Sequence, residues 1–144
     1  MDRVVLDTNI IIDYLSAKRR DHAIAVDLLE TLLSSDDLEA IVPAGCIKDA
    51  YYILCRHYHS ESLVRERLDQ FRQLMGIADL TVGILDGAFA SDEPDLEDAM
   101  VRVTAEELDA RAIITRDEDA YGNSSVPAMD ASAFLYQLDE IAVG

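Results

Sequence analysis

Residues 3 to 6 (Arg-Val-Val-Leu) form a short apolar run that stops at Asp7-Thr8-Asn9, after which Ile10, Ile11, Ile12, Tyr14 and Leu15 return in a helix-compatible pattern. This reads as strand, turn, helix. A charged break over Lys18 to Asp21 precedes a second helix, in which Ile24, Leu28, Leu29, Leu32 and Leu33 recur at helical spacing up to Ser34-Ser35-Asp36-Asp37. Ala40-Ile41-Val42 before Pro43 predicts a second strand, and Ile47, Tyr51, Leu54 and Tyr58 mark the apolar face of a third helix. Leu63, Leu68, Phe71, Leu74 and Met75 continue as a fourth helix that Gly76 is expected to end. Residues 78 to 82 form a weaker strand candidate. Pro94 suits the first turn of a helix running to about Leu108. The apolar strand Ala112-Ile113-Ile114 then stops at a second polar turn, Thr115-Arg116-Asp117, and residues 126 to 129 followed by Phe134, Leu135 and Leu138 add a last strand and helix.

Strands alternating with helices predict an α/β fold with a parallel sheet covered on both faces. There is no linker, repeat or low-complexity tract, so residues 1–144 are expected to form a single domain. Half of the residues are hydrophobic and only 6 are Gly and 3 Pro, a globular rather than a disordered composition. Cys46 and Cys55 fall on opposite faces of the third helix, too far apart to bridge, and are read as free thiols. The N-terminus runs from Met1-Asp2-Arg3 straight into the first strand, with no apolar segment for export or membrane insertion, which makes the cytoplasm the default expectation.

Charge changes the picture. Against 29 acidic residues stand 12 basic ones, a net charge of −17 that by itself repels polyanions. A solvated acidic surface, or a docking face for a basic protein, accounts for most of these acids. Carboxylates gathered at one point have another use, since they bind divalent cations that can then face a phosphate.

In an open parallel sheet, ligands collect at the carboxyl ends of the strands. Asp7 directly follows the first strand and Asp117 lies three residues beyond Ile114, although either is also an ordinary capping or turn aspartate. Asp98 enters the apolar helix Ala99-Met100-Val101 from Asp95-Leu96-Glu97-Asp98, where Asp95 and Glu97 suit capping and helix-dipole roles. Three such charges in one crevice repel one another unless a cation intervenes. Oxygen donors without a His and Cys set favour Mg²⁺ or Mn²⁺ over zinc, and His22, His57 and His59 have no zinc-like spacing.

Four segments in this order, Val4-Val5-Leu6-Asp7-Thr8-Asn9, Asp95-Leu96-Glu97-Asp98-Ala99, Ile113-Ile114-Thr115-Arg116-Asp117 and the stretch from Val126-Pro127 to Phe134-Leu135, resemble the PIN-domain nucleases, particularly the VapC-type toxins. The resemblance implies a three-layer α/β/α fold around a mainly parallel sheet of about five strands. It implies a metal-dependent endoribonuclease that leaves a 5′-phosphate and a 3′-hydroxyl, with Asp7, Asp98 and Asp117 as first, third and fourth acids. The family's second acid is usually a glutamate in the helix after the second strand, and Asp49 stands there instead; a plain solvated aspartate is the alternative reading of it. Asp119 is a substitute or helper, and Thr8, Asn9 and Thr115 would orient the acids, with Asp95 in support. Arg116 is a candidate for holding a phosphate. Lys18-Arg19-Arg20 and Arg65, Arg67 and Arg72 are further candidates, for which a charged loop and helix-surface ion pairs are the competing account.

The resemblance also implies an RNA substrate, an inhibitory antitoxin and a homodimer, with the Ile24, Leu28, Leu32 stripe and the fourth helix as apolar contact area or, equally, core. A phosphoacceptor receiver domain would need an acidic pair inside the first strand end and a late lysine, and every lysine lies before residue 49. A haloacid-dehalogenase-type phosphatase needs a second Asp two residues after Asp7, where Asn9 stands. A catalytically silent PIN-fold binding module remains the alternative to the enzyme.

Overall fold

Val4, Val5 and Leu6 are fully buried because the strand they form, β1 (Asp2–Leu6), lies in the middle of a sheet. In the computed structural model, which describes residues 1–143, β1 pairs with β2 (Leu38–Pro43) on one side and β4 (Ala112–Ile114) on the other. The edges are β3 (Gly76–Ala78) beside β2 and β5 (Ala128–Met129) beside β4, and every pairing is parallel. The order is therefore β3-β2-β1-β4-β5. Strands flanked on both sides by partners and on both faces by helices have no polar positions to alternate, hence the continuous apolar runs.

The connections are α1 (Thr8–Leu15) and α2 (His22–Ser34), α3 (Ala44–Tyr58) and α4 (Glu61–Leu74), α5 (Val82–Ala90) and α6 (Leu96–Glu107), a 3₁₀ turn (Glu118–Tyr121), and α7 (Ala131–Val143) at the end. The chain steps outward from β1 to β3 and then returns across β1 to β4. Right-handed crossovers in opposite directions put their helices on opposite faces, which produces three α/β/α layers. α1, α2, α3, α4 and α7 touch in series on one face, and α5 packs on α6. No helix among the described residues is long and apolar enough to cross a membrane.

Several boundaries differ from the sequence reading for identifiable reasons. The third strand is Gly76–Ala78 rather than residues 78 to 82, and Val82 instead opens α5, a helix hidden from periodicity by Gly83, Gly87 and the scarcity of polar positions. Thr81 caps it, accepting from the Ile84 N–H at 3.1 Å. Gly87 lets α6 approach, since a Cβ there would stand 3.2 Å from Val103 Cγ1. Gly76 is not a left-handed helix terminator, because no described glycine has positive φ; Met75 closes α4. Pro94 lies outside α6, whose N-cap is Asp95.

The inward stripe of α3 is Cys46, Ala50 and Leu54, while Ile47, Tyr51 and Tyr58 are only half-buried. That rotation turns Asp49 toward the interior more than the Ile47/Tyr51/Leu54 face implies. Leu28 and Leu32 are core residues, so the α2 stripe is not a free contact surface. Both cysteines are free, Cys46 buried and Cys55 half-buried.

Candidate active site

The chain reverses its direction of travel between β1 and β4, and the crevice outside their carboxyl ends is where such sheets place ligands. Asp7 stands there as the N-cap of α1, its Oδ1 accepting the Thr8 N–H at 2.7 Å. Its own N–H donates to the Ile114 carbonyl at 3.0 Å, which carries the β1–β4 pairing into the site. Oδ2 accepts two hydroxyls, Thr115 at 2.9 Å and Tyr121 at 2.8 Å. Asp7 is thus a carboxylate only 7% exposed, held by three neutral donors.

Thr115 links the two strand ends. Beyond donating to Asp7, its oxygen accepts from Asn9 Nδ2 at 3.2 Å and from the Asp117 N–H at 3.0 Å, and Asn9 Oδ1 accepts the Arg116 N–H at 3.1 Å. Thr8, through its backbone, and Thr115, through its side chain, hydrogen-bond the Asp7 carboxylate, while the Asn9 side chain bonds Thr115 and the Arg116 backbone. Behind them lies Cys46, whose thiol is pushed up to about 12 by burial and then by the charge of Asp7, so it stays protonated.

The opposite wall is the start of α6. Asp95 caps it, Oδ1 accepting the Asp98 N–H at 3.0 Å. Burial first, and then the charges of Asp95, Asp7, Asp117 and Glu97, push the Asp98 carboxyl up to about 7. Asp49 on α3 is raised by burial and by Asp7 and Asp95, against a lowering pull from Lys48. Glu97 is raised most by Asp49, with burial and Asp95 next. Asp7 and Asp117 are joined through Thr115, Asp95 and Asp98 through the helix cap, and Asp49 and Glu97 line one cavity; Asp7 is buried, Asp49 and Asp98 are half-buried, and Asp95, Glu97 and Asp117 are exposed, so the acids crowd a rim that opens to solvent. None of the six takes part in an ion pair among the described residues, and Lys48 lowers the pKa of two of them, Asp49 and Glu97.

Two expectations fare differently. Asp119 is exposed in the 3₁₀ turn and contributes to none of these repulsions. Arg116 does not present its guanidinium to the crevice. Nε donates to Asp13 Oδ2 at 2.6 Å and lies 3.7 Å from Asp21, and a terminal nitrogen reaches Asp13 Oδ1 at 3.3 Å. A side chain already committed to two carboxylates is not a free phosphate clamp, which corrects that role. Arg19, Arg20, Arg65 and Arg72 are likewise paired, with Asp13, Asp21, Glu61 and Asp69, so the ion-pair account holds for them.

Sequence reasoning missed three residues. Tyr121 follows Asp117 by four positions in a turn with no periodicity to mark it as buried. Glu97 was assigned to the helix dipole, although its place beside Asp98 was visible. Asp13 lies within the isoleucine run of α1, and a charge on an apolar stripe was the available signal.

The donors are all oxygen, as a hard divalent cation requires. Among the described residues no three of His, Cys, Asp and Glu form a ready-made ligand set. Mg²⁺ keeps several waters and takes only one or two carboxylates directly, so spaced acids around a half-open crevice fit it. Beside the acids a cavity of about 290 Å³ opens between α3 and α6, lined in part by Cys46, Lys48, Asp49, Leu80, Glu97 and Met100.

Comparison with known proteins adds the following. A family model described as PIN domain matches residues 3–119. No curated protein matches the chain in sequence. Among solved structures, FitAcB from Neisseria gonorrhoeae is similar at TM-score 0.70 with 19% identity, covering 90% of this chain and 98% of that one. Mycobacterium tuberculosis VapC20, described as a Sarcin-Ricin loop cleaving toxin, is similar at TM-score 0.68 with 14% identity over 83% of this chain and 94% of its own. A toxin-antitoxin complex from Klebsiella pneumoniae gives 0.64 with 20% identity over 89% and 97%. At these identities the likeness is one of fold.

Proposed function

The chain belongs to the PIN domain family, and on that premise we propose that it is a Mg²⁺- or Mn²⁺-dependent endoribonuclease acting as the toxin of a toxin–antitoxin pair. The observation that carries the reading is the gathering of six acids around the buried Asp7, with no ion pair to any of them among the described residues. Like charges packed this way are tolerable when a divalent cation completes the site. Asp7, Asp98 and Asp117 are the residues that would hold it, directly or through waters.

A bound Mg²⁺ or Mn²⁺ supplies a lowered pKa for the attacking water and charge neutralisation for the leaving oxygen. The chain's own contribution is placement. Asp7 is locked by its three donors, Asp117 is tied to Thr115 through its backbone, and Asp98 is fixed by the Asp95 cap. Asp49, on the facing helix, is the group to orient the attacking water and take its proton. Lys48 beside it is the cation at hand for a substrate phosphate, a role Arg116 does not fill.

The partner is carried by analogy with relatives described as toxin–antitoxin assemblies. An inhibitory protein that buries the crevice would keep the toxin silent, and the homodimer of the family is proposed for this chain too.

The test is cleavage of RNA by the purified protein with Mn²⁺ or Mg²⁺, with EDTA and Asp7→Asn as controls. Cleavage abolished by both controls supports the reading. Cleavage indifferent to both means contamination, and no cleavage under any condition favours a PIN-fold binding module.

A further inference from the structure

We infer that Tyr121 is a positioning residue that sets how Asp7 meets its metal: together with Thr115 it occupies Oδ2 and leaves Oδ1 as the single oxygen Asp7 presents to a cation. The inference rests on the metal-dependent reading above.

A carboxylate has about four acceptor sites, two on each oxygen. Oδ2 takes the Thr115 and Tyr121 hydroxyls at 2.9 and 2.8 Å, which fills it, while Oδ1 takes only the Thr8 N–H at 2.7 Å and keeps one site free. Neither hydroxyl has an easy alternative. Thr115 has one proton to give, and its oxygen already accepts from Asn9 and Asp117. Tyr121 is 4% exposed, so its O–H has no bulk water to turn to. A phenol carries its proton at neutral pH, and the 2.8 Å contact with a carboxylate oxygen makes it the donor.

One free site on Asp7 means monodentate binding by that carboxylate. Mg²⁺ and Mn²⁺ fit that mode, since Mg²⁺ demands near-octahedral geometry and retains waters. Ca²⁺, larger and with six to eight ligands, gains from bidentate carboxylates. Tyr121 thereby biases the centre toward the smaller ion. A phenylalanine at this place would pack the same ring and release the second oxygen.

The experiment is calorimetric titration of wild type and Tyr121→Phe, separately, with Mg²⁺, Mn²⁺ and Ca²⁺. In the variant, Mg²⁺ and Mn²⁺ affinity is expected to fall about 10-fold, the effect typical of a lost partner behind a metal ligand, while Ca²⁺ affinity holds or rises. A general loosening of the fold would weaken all three alike, and that result, or an unchanged Ca²⁺-to-Mg²⁺ ratio, overturns the inference but leaves the nuclease reading standing. Failure of wild type to bind any divalent ion overturns both. Should Tyr121→Phe not fold, wild type decides: the Tyr121 hydroxyl proton, identified by its NOE to its own ring, is expected to persist as a slowly exchanging NMR resonance when Mg²⁺ is added. Its disappearance on Mg²⁺ binding overturns the inference.

Discussion

Asp7 and Asp13 stand six residues apart, one capping α1 and one within it, and both are nearly sealed from solvent, at 7% and 2% exposure. Their surroundings are opposite. Asp13 meets cations: Arg116 at 2.6 Å and Arg19 at 3.4 Å close on its carboxylate, and Asp21 extends the cluster. Asp7 meets three neutral donors, and its charged neighbours are other acids. Asp13 is electrostatically complete and holds the turn after β4 against α1 through Arg116. Asp7 is electrostatically incomplete, and a buried charge left so beside a cleft is what makes it a candidate for a functional site. A count of buried aspartates would not separate the two; the identity of their partners does.

That contrast can be broken from either side. Asp7→Asn removes the charge on which the crevice depends, and RNA cleavage is expected to fall about 100-fold or more, beyond the loss of an outer partner, with the fold intact by circular dichroism. Asp13→Ala does the reverse. It leaves Arg19 without its carboxylate and Arg116 with only Asp21 at 3.7 Å, and because the two arginine side chains are 32% and 34% exposed the cost is discounted below that of a fully buried broken pair, to about 2 kcal/mol in urea unfolding. Stability unchanged in Asp13→Ala would mean the pair carries no structural weight.

Metal addition sharpens the comparison. At Mg²⁺ about 100-fold over its dissociation constant, wild type should gain about 2.7 kcal/mol by linkage, and Asp7→Asn should gain far less. Equal gains would move the metal elsewhere. The smallest effect is that of pH on the metal-free protein. The Asp98 carboxyl is pushed up to about 7 by burial and then by the surrounding acids, so the folded state binds its proton more tightly than the unfolded chain does. The linked stability is present below the ordinary carboxylate range and is lost as pH rises from about 4 through about 7. Because Asp98 is only half-buried, the loss is set at about 1 kcal/mol after screening, and Asp98→Asn should flatten it. A slope of the opposite sign in urea unfolding across that window would contradict the crowded crevice.

Part of this was legible in the chain. The apolar runs ending at Asp7 and at Thr115 to Asp117 located two strand ends, and a parallel sheet brings such ends to one rim, so the central acids followed from pattern and topology together. Asp95-Leu96-Glu97-Asp98 announced a helix start and placed Asp98 at its mouth. α5 was not legible, since Val82 to Ala90 has almost no polar positions and two glycines. The role of Arg116 was misread because an arginine beside two candidate acids invites a substrate role, whereas its partner, Asp13, lies 103 positions away. Asp49 was ambiguous because a one-step rotation of α3 decides which side chains face inward.

By itself the sequence determined most of the elements and their order, α5 excepted, and put carboxylates at the ends of two strands, because hydrophobic period, capping residues and strand-end acids are properties of short stretches. Only the tertiary structure decided which carboxylate each donor serves. The Thr115 and Tyr121 hydroxyls reach Asp7 across 108 and 114 positions, and Arg116 is turned away to Asp13. Contacts at that separation depend on how helices roll against a finished sheet, and no local pattern encodes a few ångströms of rotation.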